Sequence, residues 1–172
     1  LAQYPLGVMY DEGKAVTQSD ADAAKWYDKA ADQGFAEAQY ALGVMYEEGK
    51  GVAQNDAEAA RWFSKAAAQG FAGAQFNLGI MYASGRGAPR NDTEAVKWFR
   101  KAADQGFALA QSDLGLMYAH GRGVPENETE AVKWYRKAAG QGDAKAQFNL
   151  GLMYAKGRGV PENDTEALKW YR

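Results

Sequence analysis

Between residues 55 and 70 the apolar positions Ala59, Trp62, Phe63, Ala66 and Ala67 follow the i, i+3, i+4, i+7, i+8 spacing of one helical face. Upstream, Gln39, Leu42, Gly43 and Tyr46 keep the same spacing in a second segment that ends in the turn GKGV. Asn55, with Glu58 three residues later, predicts a capping box that opens the downstream helix. Gly70 then closes it, as a residue just past a helix end should. The pattern predicts two short antiparallel helices, a first helix (A) and a second helix (B), joined by a glycine-rich turn.

The same pattern returns with a period of 36 and no insertions, marked by Trp26, Trp62, Trp98, Trp134 and Trp170. Leu-Gly recurs as Leu6-Gly7, Leu42-Gly43, Leu78-Gly79, Leu114-Gly115 and Leu150-Gly151, and Met-Tyr follows each. The caps recur as Asn91/Glu94, Asn127/Glu130 and Asn163/Glu166, and the stops as Gly106 and Gly142. Asn91-Asp92-Thr93 and its equivalents also match the N-glycosylation pattern, but their coincidence with the caps favours capping. A period between 20 and 50 signals stacked repeats. One helix pair buries too little to offset the entropy of ordering it, so neighbours must stack. The expected repeats are about 1–35, 36–71, 72–107, 108–143 and 144–172, one domain over 1–172 with both ends truncated.

A mid-helix glycine costs about 1 kcal/mol relative to alanine. Its return at Gly43 and its equivalents predicts another helix passing too close for a side chain, with the alanines of helix B as the facing small surface. Pro5 enters the first helix A and predicts a late start or fraying there. Ala15 stands where the other repeats carry the second turn glycine.

Composition narrows the function classes. Hydrophobic residues are 47% and charged residues 24%, a soluble-globular mixture. A formal net charge of −2 removes the electrostatic basis for general nucleic-acid binding. No apolar run approaches the roughly 20 residues that span a bilayer, so no membrane partner is expected. There is no cysteine, which excludes a disulfide framework and thiolate metal sites and leaves no redox clue to compartment. Leu1 is not a natural start and no charged-then-apolar leader is present, so the chain is expected to be an excised fragment.

The residues A-x-A-Q-x-x-L-G-x-M-Y-x-x-G-x-G-V followed by A-x-x-W-[YF]-x-K-A-A-x-x-G resemble the Sel-one-like repeat (SLR), a 36-residue relative of the tetratricopeptide repeat, over essentially the whole chain. The resemblance implies an all-α fold, a right-handed superhelical α-solenoid of about five helix pairs, and a role as a scaffold for protein complexes, often in bacterial signalling or eukaryotic quality control. Ser112 and Asp113 depart from it, standing where Phe-Asn appears in AQFNLG.

In similar repeats helix A lines the concave face, which makes the positions flanking Leu-Gly candidates for a peptide groove. One row is Tyr4, Tyr40, Phe76, Ser112 and Phe148; beside it run Pro5, Ala41, Asn77, Asp113 and Asn149; a third is Val8, Val44, Ile80, Leu116 and Leu152. The alternative reading places the aromatic and aliphatic rows in the core between repeats. Tyr40, Phe76, Asn77, Asp113, Phe148 and Asn149 are the candidate peptide-binding residues, the aromatics by desolvated contact and the amides by hydrogen bonds to ligand backbone. The end of helix A runs from Asp11, Glu12, Glu47 and Glu48 to His120 and Lys156, so the basic part of a bound peptide is expected near the first two repeats; solvated helix ends are the alternative. Lys14, Lys50, Arg86, Arg122 and Arg158 form a basic column in the turns, read as solvent-facing, with acidic partners or phosphates as the other option. Lys133, Arg136 and Lys137 are read as convex surface.

An enzyme is the rival class. His120 is the one histidine and has no repeated partner, and Ser-x-x-Lys, G-x-S-x-G and His-Glu-x-x-His are absent. GRGVP lacks the Lys-Ser/Thr ending of a nucleotide loop. Cysteine-rich bacterial relatives have been discussed as β-lactam binders or hydrolases, but their cysteine pattern is missing here. No catalysis, cofactor or metal is expected. Two functions remain: a scaffold binding a protein or peptide, or an array segment that associates end to end with copies of itself.

Overall fold

The 36-residue pattern folds as successive pairs of short helices. In the computed structural model, which describes residues 2–172, these are α1 (Gln3–Glu12), α2 (Asp20–Asp32), α3 (Ala36–Glu48), α4 (Asp56–Ala68), α5 (Ala72–Ser84), α6 (Asp92–Asp104), α7 (Ala108–Ala119), α8 (Glu128–Gly140), α9 (Ala144–Ala155) and α10 (Asp164–Tyr171). Leu1, read above as a cut end, lies outside the described residues. Odd-numbered helices are the predicted A helices and even-numbered ones the B helices, and no strand occurs among the described residues. The chain divides into two compact halves, Leu1–Arg90 and Asn91–Arg172, with the boundary between the two helices of the third repeat.

Each B helix starts at a side-chain cap. Ser19, Asn55, Asn91, Asn127 and Asn163 accept N–H bonds from the residue three positions on, at 3.0–3.2 Å. The predicted capping box does not close. Glu58 turns forward to Arg61 at 3.1 Å, and Glu94, Glu130 and Glu166 likewise pair with the lysine three residues on. The cap's own N–H is already taken: Asn55, Asn127 and Asn163 donate to the carbonyls of Tyr46, Tyr118 and Tyr154 at 2.9 Å, which ties the end of each A helix to the start of its B helix. The B helices end as predicted. Gly70 N–H donates to the carbonyl of Ala67 at 3.0 Å and Phe71 N–H to that of Ala66 at 3.1 Å, a Schellman pair repeated at Gly34, Gly106 and Gly142.

The first helix does start late, at Gln3, three residues further into the repeat than α3, and it carries Pro5 in its first turn, where a helix has no use for the missing N–H. One expectation needs correction. The close neighbour of the Leu-Gly glycine is an aromatic ring and not the alanine surface. A Cβ on Gly43 would sit 2.7 Å from the Phe63 ring; on Gly7 it would sit 2.5 Å from Tyr27, on Gly115 2.7 Å from Tyr135, and on Gly151 2.5 Å from Tyr171. The alanines instead form the seam to the next repeat, as where Ala30 and Ala31 share a buried cluster with Ala38 and Leu42. The second half has the matching cluster, with Ala138 and Ala139 beside Ala146 and Leu150.

Polar groups also join neighbouring repeats. Gln39, buried on helix A, donates to the carbonyl of Ala31 at 3.0 Å and accepts from Gln69 at 2.8 Å. In the second half Gln111 repeats this with Ala103 at 3.0 Å and Gln141 at 2.8 Å. Each carbonyl already accepts from the Schellman glycine, Gly34 to Ala31 and Gly106 to Ala103 at 3.0 Å, so the glutamine is a second donor, and the buried amide finds its own partners across the seam.

The turn glycines are fixed by the same stacking. Gly51 has φ +70, and a Cβ there would fall 2.2 Å from the carbonyl oxygen of Asp20 at the start of the preceding B helix; Gly87, Gly123 and Gly159 meet Asp56, Asp92 and Glu128 at 2.1–2.4 Å. Ala15 holds the equivalent place with φ 62, the one positive φ outside glycine among the described residues.

Substitution Gly43→Ala is expected to lower the urea midpoint, with a loss of about 1–3 kcal/mol from overpacking against Phe63, although helix propensity alone would add about 1 kcal/mol; a higher midpoint would show that the ring yields freely. Ala15→Gly is expected to raise stability by about 1 kcal/mol by relieving the left-handed backbone, again read as a midpoint shift.

Candidate partner-binding face

Stacking leaves one strip of each A helix outside the packed seams. On α3 this strip is Glu37, Tyr40, Ala41, Val44 and Glu48, at spacings of 3, 4, 7 and 11 residues that share one helical face. Together with Tyr4 and Tyr27 from the first repeat, and Phe71, these residues line an open cavity of about 420 Å³. Its rings are held by packing. Tyr4 lies 5.8 Å from Tyr27, and Tyr40 lies 5.8 Å from Phe63 and 4.8 Å from Phe71, centroid to centroid. Gly73 leaves room for Tyr40, since a Cβ there would come within 3.3 Å of its ring.

Tyr4, Tyr40 and Phe148 each pack on an aromatic ring of helix B in their own repeat, as the core reading expects, while Tyr4 and Tyr40 also line the cavity. Burial raises the pKa of Tyr40, the charge of Glu47 adds to this, and a hydrogen bond with Asn77 opposes it. Asn77, proposed from sequence to meet ligand backbone, is thus engaged with Tyr40. Phe76 is half-buried.

In the second half Phe148 is 59% exposed, its ring 6.0 Å from Tyr171. Asp113 pairs with Lys145 at 2.7 Å. Ser112, in the aromatic row, is buried to 1% exposure, and its hydroxyl has no hydrogen-bond partner among the described residues. Asn149 lines a smaller cavity of about 70 Å³ with Leu116, Leu152, Tyr135 and Arg158.

The four acids expected at the end of the groove divide. Asp11 is held by Lys50 at 2.6 Å and accepts from the Tyr27 hydroxyl at 3.3 Å; Glu12 pairs with Lys14 at 2.6 Å and Glu47 with Arg86. Glu48 lines the cavity and has no ion-pair partner among the described residues. Sequence reasoning missed its counterpart Glu37, also without an ion-pair partner among them, at the other end of the same strip. The signal was available in the aligned repeats, where this column reads Glu37, Gly73, Leu109, Lys145.

The basic column is at least partly exposed to solvent, and from Lys50 onward it also pairs with acids of neighbouring repeats. Lys50 reaches Asp20 at 3.5 Å, Arg86 reaches Asp56 at 3.5 Å, Arg122 reaches Asp92 at 3.4 Å and Arg158 reaches Glu128. Each acid is the first residue of the preceding B helix, where a negative charge also complements the helix dipole. On the B helices, Lys29, Lys65, Lys101 and Lys137 sit 3.8–4.4 Å over the rings of Trp26, Trp62, Trp98 and Trp134.

Among the described residues no group of three or more His, Cys, Asp or Glu could hold a metal ion, and no helix is long and apolar enough to cross a membrane. These features define an α-helical repeat protein whose polar side chains mainly join one helix pair to the next. The Sel1 repeat model matches residues 1–35, 36–71, 72–107, 108–143 and 144–172, and the chain belongs to the Sel1 repeat family. Its fold is an all-α solenoid of about five repeats.

The chain is 42% identical to c5321, a protective antigen present in uropathogenic Escherichia coli strains displaying an SLR fold, with a TM-score of 0.95 over 98% of this chain and 36% of that one. It is 42% identical to a Sel1 repeat protein from Oxalobacter formigenes, with a TM-score of 0.95 over 99% of this chain and 70% of that one. Cysteine rich protein B of Helicobacter pylori is 25% identical, with a TM-score of 0.56 over 72% of this chain and 93% of that one. The chain thus spans about 36% of the length of c5321. No curated protein matches it.

Tyr135 lines the smaller cavity, and burial first, then the charge of Asp113, pushes its pKa up to about 12 while Arg158 opposes. The unfolded phenol titrates near 10, so between these values the unfolded state gives up its proton first and stability falls as pH rises. The loss is expected to reach on the order of 2 kcal/mol by pH 12, and urea midpoints at pH 9 and 11.5 are expected to differ less in Tyr135→Phe than in the unaltered chain.

Proposed function

We propose that the chain is a non-catalytic scaffold that binds a segment of a partner protein on the strip formed by the A helices. Sel1 repeat proteins are generally protein-interaction scaffolds. The observation that carries the reading here is the aromatic row. In the first half Tyr4 and Tyr40 line the open α3 cavity, and in the second half Phe148 is 59% exposed. An open ring beside amide and carboxylate groups suits a peptide better than a small molecule. The candidate residues remain Tyr40, Phe76, Asn77, Asp113, Phe148 and Asn149, with Tyr40 and Phe148 offering the most direct contact.

Two further points support binding over the rival readings. His120, exposed at the end of α7, lines the smaller cavity with Tyr135 and Arg158, and that lining holds no carboxylate to pair with it. End-to-end stacking of copies in the register used within the chain would bring the carbonyl of Asp164 of a second copy against the Cβ of Ala15, the place where every other repeat needs glycine.

Peptides selected from a random display library against the full chain, resynthesised with a photoreactive residue, are expected to crosslink to α3, α5, α7 or α9. Crosslinks confined to α2, α4, α6 or α8 would overturn the reading.

A further inference from the structure

We propose that the α3 cavity is a docking groove for a basic segment of a partner protein, with Glu37 and Glu48 each meeting an arginine or lysine and the ring-lined floor between them taking an apolar side chain. This rests on the A-helix strip being the binding face.

Three observations carry it. The first is shape. Glu37 and Glu48 lie on one face of α3, eleven residues and so about 16 Å apart along the helix axis, and Tyr40, Ala41 and Val44 fill the strip between them. An extended segment covers that distance in about five residues, enough to place a basic group over each carboxylate and an apolar side chain over the floor.

The second is charge. The lining holds the carboxylates of Asp11, Glu37 and Glu48 against the ammonium of Lys50, which is already committed to Asp11 and Asp20. Glu37 and Glu48 are exposed and have no ion-pair partner among the described residues. Their fields nevertheless reach the floor, since Glu37 acts on Tyr4 and Glu48 on Tyr40. Aromatic faces beside carboxylates favour cations over anions.

The third is an internal comparison. The equivalent positions of α9 carry Lys145 and Lys156, and the cavity beside them is lined by Arg158. The repeat framework therefore does not require acids at these two places. Their negative sign belongs to α3, where the cavity is also much larger.

The test uses the full chain and a random dodecapeptide display library, panned at about 50 mM salt, where exposed ion pairs are little screened. Enriched peptides are synthesised with a fluorophore and titrated by anisotropy against the unaltered chain, Glu37→Gln/Glu48→Gln and Glu37→Lys/Glu48→Lys. Both glutamates are exposed, and helical circular dichroism with an unchanged melting temperature checks that the variants fold. The expected peptides carry two basic residues around an apolar one. Their affinity is expected to fall about tenfold in the glutamine variant, as the loss of two exposed ion pairs allows, further in the lysine variant, and steeply with added salt.

Enriched peptides that lack the basic pair, or that bind all three proteins equally, would overturn the groove while leaving the A-helix reading standing if photo-crosslinks still fall on odd-numbered helices. Crosslinks on even-numbered helices would remove both. Self-association abolished by Lys145→Glu/Lys156→Glu would also overturn it, by naming a second copy as the occupant.

Discussion

Within a repeat, the second helix places an aromatic ring where the first helix would otherwise carry a side chain. The contact of Phe63 with Gly43, matched by Tyr27 with Gly7, Tyr135 with Gly115 and Tyr171 with Gly151, fixes how closely the two helices approach. Packed interiors tolerate little change in volume at such a point. The glycine sacrifices helix propensity to admit the ring, and the ring then buries its area against backbone. Other features of the repeat follow from that spacing: the tyrosine carbonyl reaches the next cap, and the leucine beside the glycine enters the core.

Between repeats the joining groups are different in kind. Alanine pairs allow close contact of neighbouring helices, buried glutamines complete the hydrogen bonds of a helix end, and lysine or arginine in the turn meets the acid that opens the preceding B helix. The ion pairs are partly exposed and individually weak. The glutamines matter more, because a buried polar side chain without its partners is destabilising by about 1–3 kcal/mol, and these find theirs across the seam. Repeat stacks of this kind draw stability from nearest neighbours, one interface at a time.

This division of labour leaves the A-helix strip free to vary. In the column Glu37, Gly73, Leu109 and Lys145 the sequence changes charge and size from one repeat to the next, even where the residue meets the preceding repeat, as Gly73 does at Tyr40 and Lys145 at Asp113. Sel1 repeat proteins are generally protein-interaction scaffolds, and variable side chains on a constant framework are the means by which one such scaffold can differ from another.

The sequence by itself determined what depends on nearby residues. Apolar spacing located the helix pairs, the 36-residue period of the tryptophans counted the repeats, and asparagine and glycine marked where the B helices of the three middle repeats start and stop, because each signal acts within a few residues along the chain. Only the tertiary structure decided the partners. Gln39 finds Gln69 across 30 residues and Lys50 finds Asp11 across 39, and nothing in the local pattern distinguished a clamping lysine from a solvated one. The same holds for the site: Glu48 was legible as an acid at a helix end, but its pairing with Glu37 across a ring-lined cavity was not. Which side chains remain open after stacking depends on the packing of whole helices, and that packing sums contacts that no single stretch of chain contains.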